Sequence, residues 1–388
     1  MRENRIYFDN AASTMVDPGV AAAMAPYVSE IYGNASSLHY HGRLAKEALE
    51  KSRAVIAGSV GADPGEVIFT SGGTESNNFA LIGTAFANLE KGRHIIVSAI
   101  EHDSVISPGK WLDGIGFEVT YLPVDQDGMV DVRRLECCIR RDTVLVSVMH
   151  ANNEIGMIQP IEKIGAVCRE HGILFHTDAC QSYGKIGINL HRQNIDLLSV
   201  NAHKIYGPKG VGALVVGKDA RIDPYMHGGG HEKGLRSSTE NIPGIVGFAR
   251  AAEICLAGME GETARISSLR DRIIDYALGN LPGAYLNGDR TRRLPGNVNL
   301  SFRGYEGEAI RLLMILDSAG ISVSTGSACS SNSGENSPSH VLSAIGRDPF
   351  QARGALRITL GRFNTEDEVD SFLHVLTESM NGLKPISH

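Results

Sequence analysis

The sequence predicts an α/β protein: a large domain over residues 15–255 built on a mainly parallel seven-stranded sheet, and a smaller α+β domain made of residues 1–14 and 256–388. Three observations carry this reading. From residue 67 short apolar runs alternate with longer helical patterns, the order expected when crossover helices join parallel strands. Several runs are apolar throughout, as strands covered on both faces must be. At 388 residues the chain also exceeds the size at which one core stops growing.

Taken in order, the predicted strands cover 67–70, 94–99, 117–122, 143–150, 173–179, 196–202 and 211–216. Between them the 3.6-residue pattern predicts helices over 74–90, 104–114, 131–141 and 160–171. The pattern then changes. Amphipathic helices over 262–282 and 306–320, strands over 298–302 and 356–360, and a last helix over 365–383 read as the smaller domain. A stretch rich in Ser, Gly and Asn, 322–340, reads as a mobile loop.

A net charge of −7 and the lack of a Lys/Arg run argue against a nucleic-acid groove, which needs a basic field. The N-terminal stretch turns polar too early for a signal peptide, and no window is expected to cross a membrane, so a cytoplasmic protein is expected. Cysteines stand at 137, 138, 168, 180, 255 and 329, with neither a CxxC pair nor zinc-like spacing. Most read as small buried hydrophobes.

Ligands of open α/β sheets bind beyond the carboxyl ends of the strands. After 67–70 come Ser71-Gly72-Gly73-Thr74, glycines and hydroxyls opening a helix, which suit either an anion site or a plain capped turn. Glu101-His102 follows the next strand, Asp178 ends another, and His203-Lys204 follows 196–202. A lysine, a carboxylate and an anion cradle on one sheet edge are what pyridoxal 5'-phosphate (PLP) requires. Lys204 would carry the cofactor through its amine, Asp178 would pair with the ring nitrogen, and the flat imidazole of His102 would stack on the ring. Gly212, Gly217 and Lys218 match a phosphate-loop spacing, but Asp219 stands where Ser or Thr is needed, and the intervening residues read as a strand.

TSGGTESNN (70–78), EH (101–102), MHANNEIG (149–156), DACQ (178–181), AHKIYGPKG (202–210), HGGGHEKGLRSSTEN (227–241) and TGSACSS (325–331) occur together and in this order. The chain thereby resembles the NifS/IscS-type cysteine desulfurases of the class V aminotransferase family, with the PLP-dependent transferase fold of type I, from about Tyr7 to Arg362. The resemblance implies that Lys204, His102 and Cys329 are catalytic, with Cys329 taking the sulfur of L-cysteine as a persulfide and alanine as the other product. It implies that Gly73, Thr74, Asn201, His203 and, from a second subunit of a homodimer, Thr239 bind the phosphate, and that Asn153, Asp178 and Gln181 contact the ring. Asn10 and Arg357 are implied to hold the substrate carboxylate, and no metal is implied in the PLP site. A sulfur-acceptor protein is the implied partner, for iron–sulfur cluster assembly or for tRNA or DNA thiolation. Two positions depart from the pattern: Asn201 stands for a serine and Ser238 for a glycine. Selenocysteine lyase or another class V activity, and a non-catalytic sulfur carrier or scaffold subunit, are the alternatives.

Overall fold

The structure, a computed structural model, describes residues 5–325 and 338–383. A short strand β1 (Ile6–Tyr7) opens the chain. Seven strands then build the large sheet: β2 (Val67–Thr70), β3 (His94–Ser98), β4 (Glu118–Leu122), β5 (Thr143–Ser147), β6 (Leu174–Asp178), β7 (Leu197–Asn201) and β8 (Gly212–Val216). Their spatial order is β2-β8-β7-β6-β5-β3-β4. β3 pairs parallel with β4 and β5, β5 with β6, and β6 with β7. β8 is antiparallel to both neighbours, so β2 again points the same way as β7. The carboxyl ends of β2, β3, β5, β6 and β7 therefore share one edge.

β2, β3, β5 and β7 are buried at every residue, which explains their unbroken apolar runs. Separate apolar clusters cover the two sheet faces. The smaller region holds an antiparallel sheet of order β12-β13-β10-β9, where β9 is Ala284–Leu286, β10 Asn297–Phe302, β12 Ser324–Thr325 and β13 Leu356–Thr359. β11 (Ile321–Ser322) pairs in parallel with β1. The helix Glu366–Gly382, started by a Thr365/Glu368 capping box, buries Phe372 and Leu376 against this sheet's core.

Three expectations need correction. The helix expected over 262–282 is the second half of one helix, Ile242–Asn280, which serves the large core through Phe248 and Ala252 and the small one through Leu269 and Ile273. By length and composition it could cross a membrane, contrary to the expectation that no window could, but its apolar side is spent on these two cores. The helix expected over 74–90 is broken into Gly73–Asn78, a π-helical stretch Phe79–Gly83, and Thr84–Ala87. Asn78 Nδ2 bonds the Thr74 carbonyl and, across a gap, that of Ser104; such side-chain competition loosens a helical ladder.

The segment 227–241 is tied down by charge. Arg53 and Glu232 form a buried ion pair at 2.7 Å, and Glu232 also accepts the Phe69 N–H. Within this segment Ser238 adopts φ 136°, a conformation suited to glycine, the residue that the family pattern has there. Holding a side chain in such a region costs about 1–3 kcal/mol. Ser238→Gly loses about 0.5–1 kcal/mol through the freer unfolded chain. The relief outweighs it. Ser238→Gly is expected to raise the unfolding free energy by about 1 kcal/mol in urea titration.

Candidate active site

A cavity of about 220 Å³ opens at the shared carboxyl edge of the large sheet. Its wall includes Gly73 and Thr74 after β2, His102 after β3, Met149 and Asn153 after β5, Asp178 at the end of β6 with Cys180 and Gln181 beyond it, and Asn201, His203 and Lys204 at and after β7. Ala11, Ala12 and Arg357 also line it. Residues spread over the chain meet here because their strands end on one edge.

Asp178 is the most constrained of them. Its Oδ1 accepts the Cys180 N–H at 2.8 Å and its Oδ2 accepts Asn77 Nδ2 at 2.7 Å. Burial pushes its carboxyl up, but the Cys180 hydrogen bond and nearby positive charge prevail and hold it below its ordinary value. It is an anion.

The second hydrogen of Asn77 Nδ2 goes to Ser104 Oγ at 2.8 Å. Ser104 Oγ, already accepting, donates to His102 Nδ1 at 2.8 Å, and the Ser104 N–H reaches the same nitrogen at 3.0 Å. Two donors on Nδ1 leave its proton to Nε2. Burial, and then the charge of Lys204, lower the His102 pKa, so the ring is neutral at pH 7. His203 is pushed down to about 4 by burial and by Lys204 and Lys209, and it too is neutral.

Lys204 sits in a tight turn after β7, closed by the Ile205 and Gly207 N–H groups on the Ala202 carbonyl. Thr14 clamps that turn: its N–H and Oγ1 bond the His203 carbonyl, and Oγ1 accepts the Tyr206 N–H. Gln181 spends one amide hydrogen on the Ala11 carbonyl. Arg357 is 2% exposed; Nη2 pairs with Asp9 at 3.0 Å, Nη1 reaches the Asn153 carbonyl, and Nε has no partner among the described residues. That leaves a guanidinium edge for a carboxylate.

The wall fits PLP. Among the described residues Asn77 Oδ1, Asn201 Oδ1 and Arg357 Nε are buried polar atoms without partners. A Cβ on Gly73 would lie 2.5 Å from Cys180 Sγ, so only glycine lets the first turn of the helix Gly73–Asn78 come this close. An amine, a buried carboxylate and a neutral flat ring complete the set that this cofactor uses.

Not every predicted residue is here. The Asn10 amide bonds the Thr359 carbonyl and Asn364 instead of facing the cavity. Thr239 is exposed and absent from the wall of this single chain. Cys329 lies outside the described residues. Asp9, Asn77 and Ser104 were missed. Asn77 follows Thr74 by three residues and so shares its helix face, a usable signal; Asp9 meets its partner 348 residues away and gave none.

Comparison with known proteins agrees with this geometry. Residues 6–372 match the aminotransferase class-V family. The cysteine desulfurase IscS of Dictyoglomus turgidum is 48% identical over 99% of this chain and 97% of its own length. That of Methanosarcina thermophila is 49% identical over 99% and 94%. A solved NifS-like protein superposes with a TM-score of 0.91 at 40% identity, over 98% of this chain and all of the other. The chain belongs to the class V aminotransferase family and is a PLP-dependent enzyme. Within that family it is a cysteine desulfurase of the NifS/IscS type.

Two outcomes follow from the buried polar groups. His150 and His176 are held at about 4 by burial, while the unfolded chain protonates them near 6.5, so stability is lost as pH falls from 6.5 towards 4. Glu101, wholly buried with Oε1 on the Ser98 hydroxyl and the Met149 N–H, is pushed up to about 8 by burial. The unfolded carboxyl loses its proton near 4.5, so this group removes stability as pH rises from 4.5 to 8. Between pH 6.5 and 8 Glu101 acts without the two histidines. Denaturant titrations should show a fall of about 2 kcal/mol across that window, at ~1.4 kcal/mol per pH unit, and Glu101→Gln should flatten it. Asn77→Ala removes a hydrogen bond to a charged group, worth about 1.5–3 kcal/mol, and should weaken PLP binding about tenfold or more in an absorbance titration.

Proposed function

We propose that the sulfur this enzyme takes from L-cysteine leaves as a persulfide on Cys329 and passes to an acceptor protein, with iron–sulfur cluster assembly as its destination. The observation that carries the reading is that Lys204, Asp178, His102 and Arg357 line one cavity. When bound, PLP supplies an electron-accepting ring carried on the Lys204 amine. Gly73, Thr74, Asn201 and His203 would hold its phosphate, Asp178 would keep a proton on its ring nitrogen, and Gln181 and Asn153 would contact the ring.

Arg357, held in place by Asp9, takes the substrate carboxylate. Lys204 Nζ is the base for the α-proton, since His102 Nδ1 is occupied by two donors and its Nε2 carries a hydrogen. His102 instead offers that Nε2 hydrogen. The Cys329 thiolate attacks the substrate sulfur; an S–S bond forms, the Cβ–S bond breaks with its electron pair staying on carbon, and protonation of that carbon yields alanine. Cys329 follows Thr325 by four residues, a span of at most about 14 Å. In β12–β13 Ser324 stands opposite Arg357 and Thr325 opposite Leu356, so that tether starts at the substrate arginine.

The same reading takes the enzyme as a homodimer in the cytoplasm. Leu38, Tyr32 and Tyr40 are exposed by 90%, 68% and 61%, an apolar surface suited to a second copy that would bring Thr239 to the phosphate. Five cysteines among the described residues are free thiols, as suits a reducing compartment.

Purified protein should be yellow, Lys204→Ala should lose the absorbance of the lysine-bound cofactor, and Cys329→Ala should keep it yet give neither alanine nor persulfide from cysteine. Normal turnover by Cys329→Ala would remove the relay from the proposal.

A further inference from the structure

The segment that carries Cys329 returns to described structure at residue 338, and the first residues after it bond to Glu154 and Glu101, the chain neighbours of the wall residues Asn153 and His102. Ser339 caps the helix His340–Ala344 by accepting the Leu342 N–H at 3.2 Å. Its hydroxyl hydrogen then points elsewhere, to Glu154 Oε2 at 2.6 Å. His340 Nε2 donates to the Glu101 carbonyl at 2.8 Å. Below this helix Val341, Leu342 and Ile345 pack on Ile100, Met149 and Ile155, which flank His102 and Asn153 in the chain.

Glu154 is the unexpected part of this junction. It is 5% exposed, and burial raises its carboxyl pKa. Capping needs only the Ser339 oxygen, so helix formation does not require this acid, and a buried carboxyl is costly where an apolar side chain would pack. Its backbone neighbour is Asn153, whose carbonyl receives Arg357 Nη1. The Glu154 carbonyl accepts Asn297 and Asn299 of β10, the strand paired with β13 that bears Arg357. Residues 153 and 154 thus join the ring side of the cavity, the substrate arginine and the root of the cysteine segment.

We propose that Glu154 is a positioning residue for sulfur transfer: through Ser339 it holds the C-terminal root of the Cys329 segment at the rim of the cofactor cavity, so that the thiol meets the substrate sulfur. This rests on the reading of Cys329 given above. It predicts that the acceptor oxygen matters and the charge does not, and that the step affected is the one after cysteine has bound.

The test uses the full-length holoenzyme in single turnover with L-cysteine. Glu154→Met keeps length and removes the acceptor; Glu154→Gln keeps an acceptor oxygen. Glu154→Met should slow persulfide formation on Cys329, followed by mass spectrometry, about tenfold, while Glu154→Gln stays within about twofold of the parent. The absorbance change on cysteine binding should be the same in all three. Equal rates for Glu154→Met and Glu154→Gln, or slowing of the binding step to the same degree as the transfer, would overturn the proposal. Cys329→Ala run in parallel separates the two levels: alanine formed at the parent rate there means that the relay reading has failed, whereas its loss, with Glu154→Met unaffected, means that only the positioning role has.

Discussion

The arrangement of the site depends on one buried charge. Asp178 ends β6, in the middle of the large sheet, where an unpaired carboxylate would be expensive. It is kept ionised by the Cys180 N–H and by Asn77. Asn77 can reach it only because the helix Gly73–Asn78 lies close to the strand ends, and that approach needs glycine at 73. The same amide then fixes Ser104 and, through it, the tautomer of His102. A single electrostatic requirement thereby orders the Gly73–Thr74 turn, the Asp178 carboxylate and the His102 ring together.

The second constraint is the meeting of two regions across the cavity. Arg357 comes from the small sheet but is aimed by Asp9 near the N-terminus and touches the Asn153 carbonyl of the large region. The helix Ile242–Asn280 belongs to both cores, and a separate apolar cluster glues Val341 and Leu342 to Met149 and Ile155. Arg357 and the cavity wall are therefore held by packing that spans both regions.

Some features belong to this chain in particular. Asn201 replaces a serine of the family pattern and lines the cavity, its Oδ1 unpartnered among the described residues. Ser238 occupies a glycine conformation beside Thr239. Cys180 lines the cavity, but burial and the charge of Asp178 hold its thiol well above its ordinary value, which makes it packing and not a nucleophile.

The order of strands and helices, the sheet edge and its acid, lysine and histidine were legible in the sequence, because strand burial and strand-end placement are written in local patterns. The break in the helix after Asn78 and the true start of the long helix at Ile242 were not, since side-chain competition and packing on two cores decide them. The direction of Asn10, turned to the Thr359 carbonyl, was also invisible to any motif. Motif residues show what chemistry is available; which atom faces the cavity depends on partners far along the chain, such as Asp9, 348 residues from Arg357. The sequence by itself therefore determined the chemical groups and the edge on which they stand. Tertiary structure alone decided their protonation and aim, because burial and hydrogen-bond partners act through space and not along the chain.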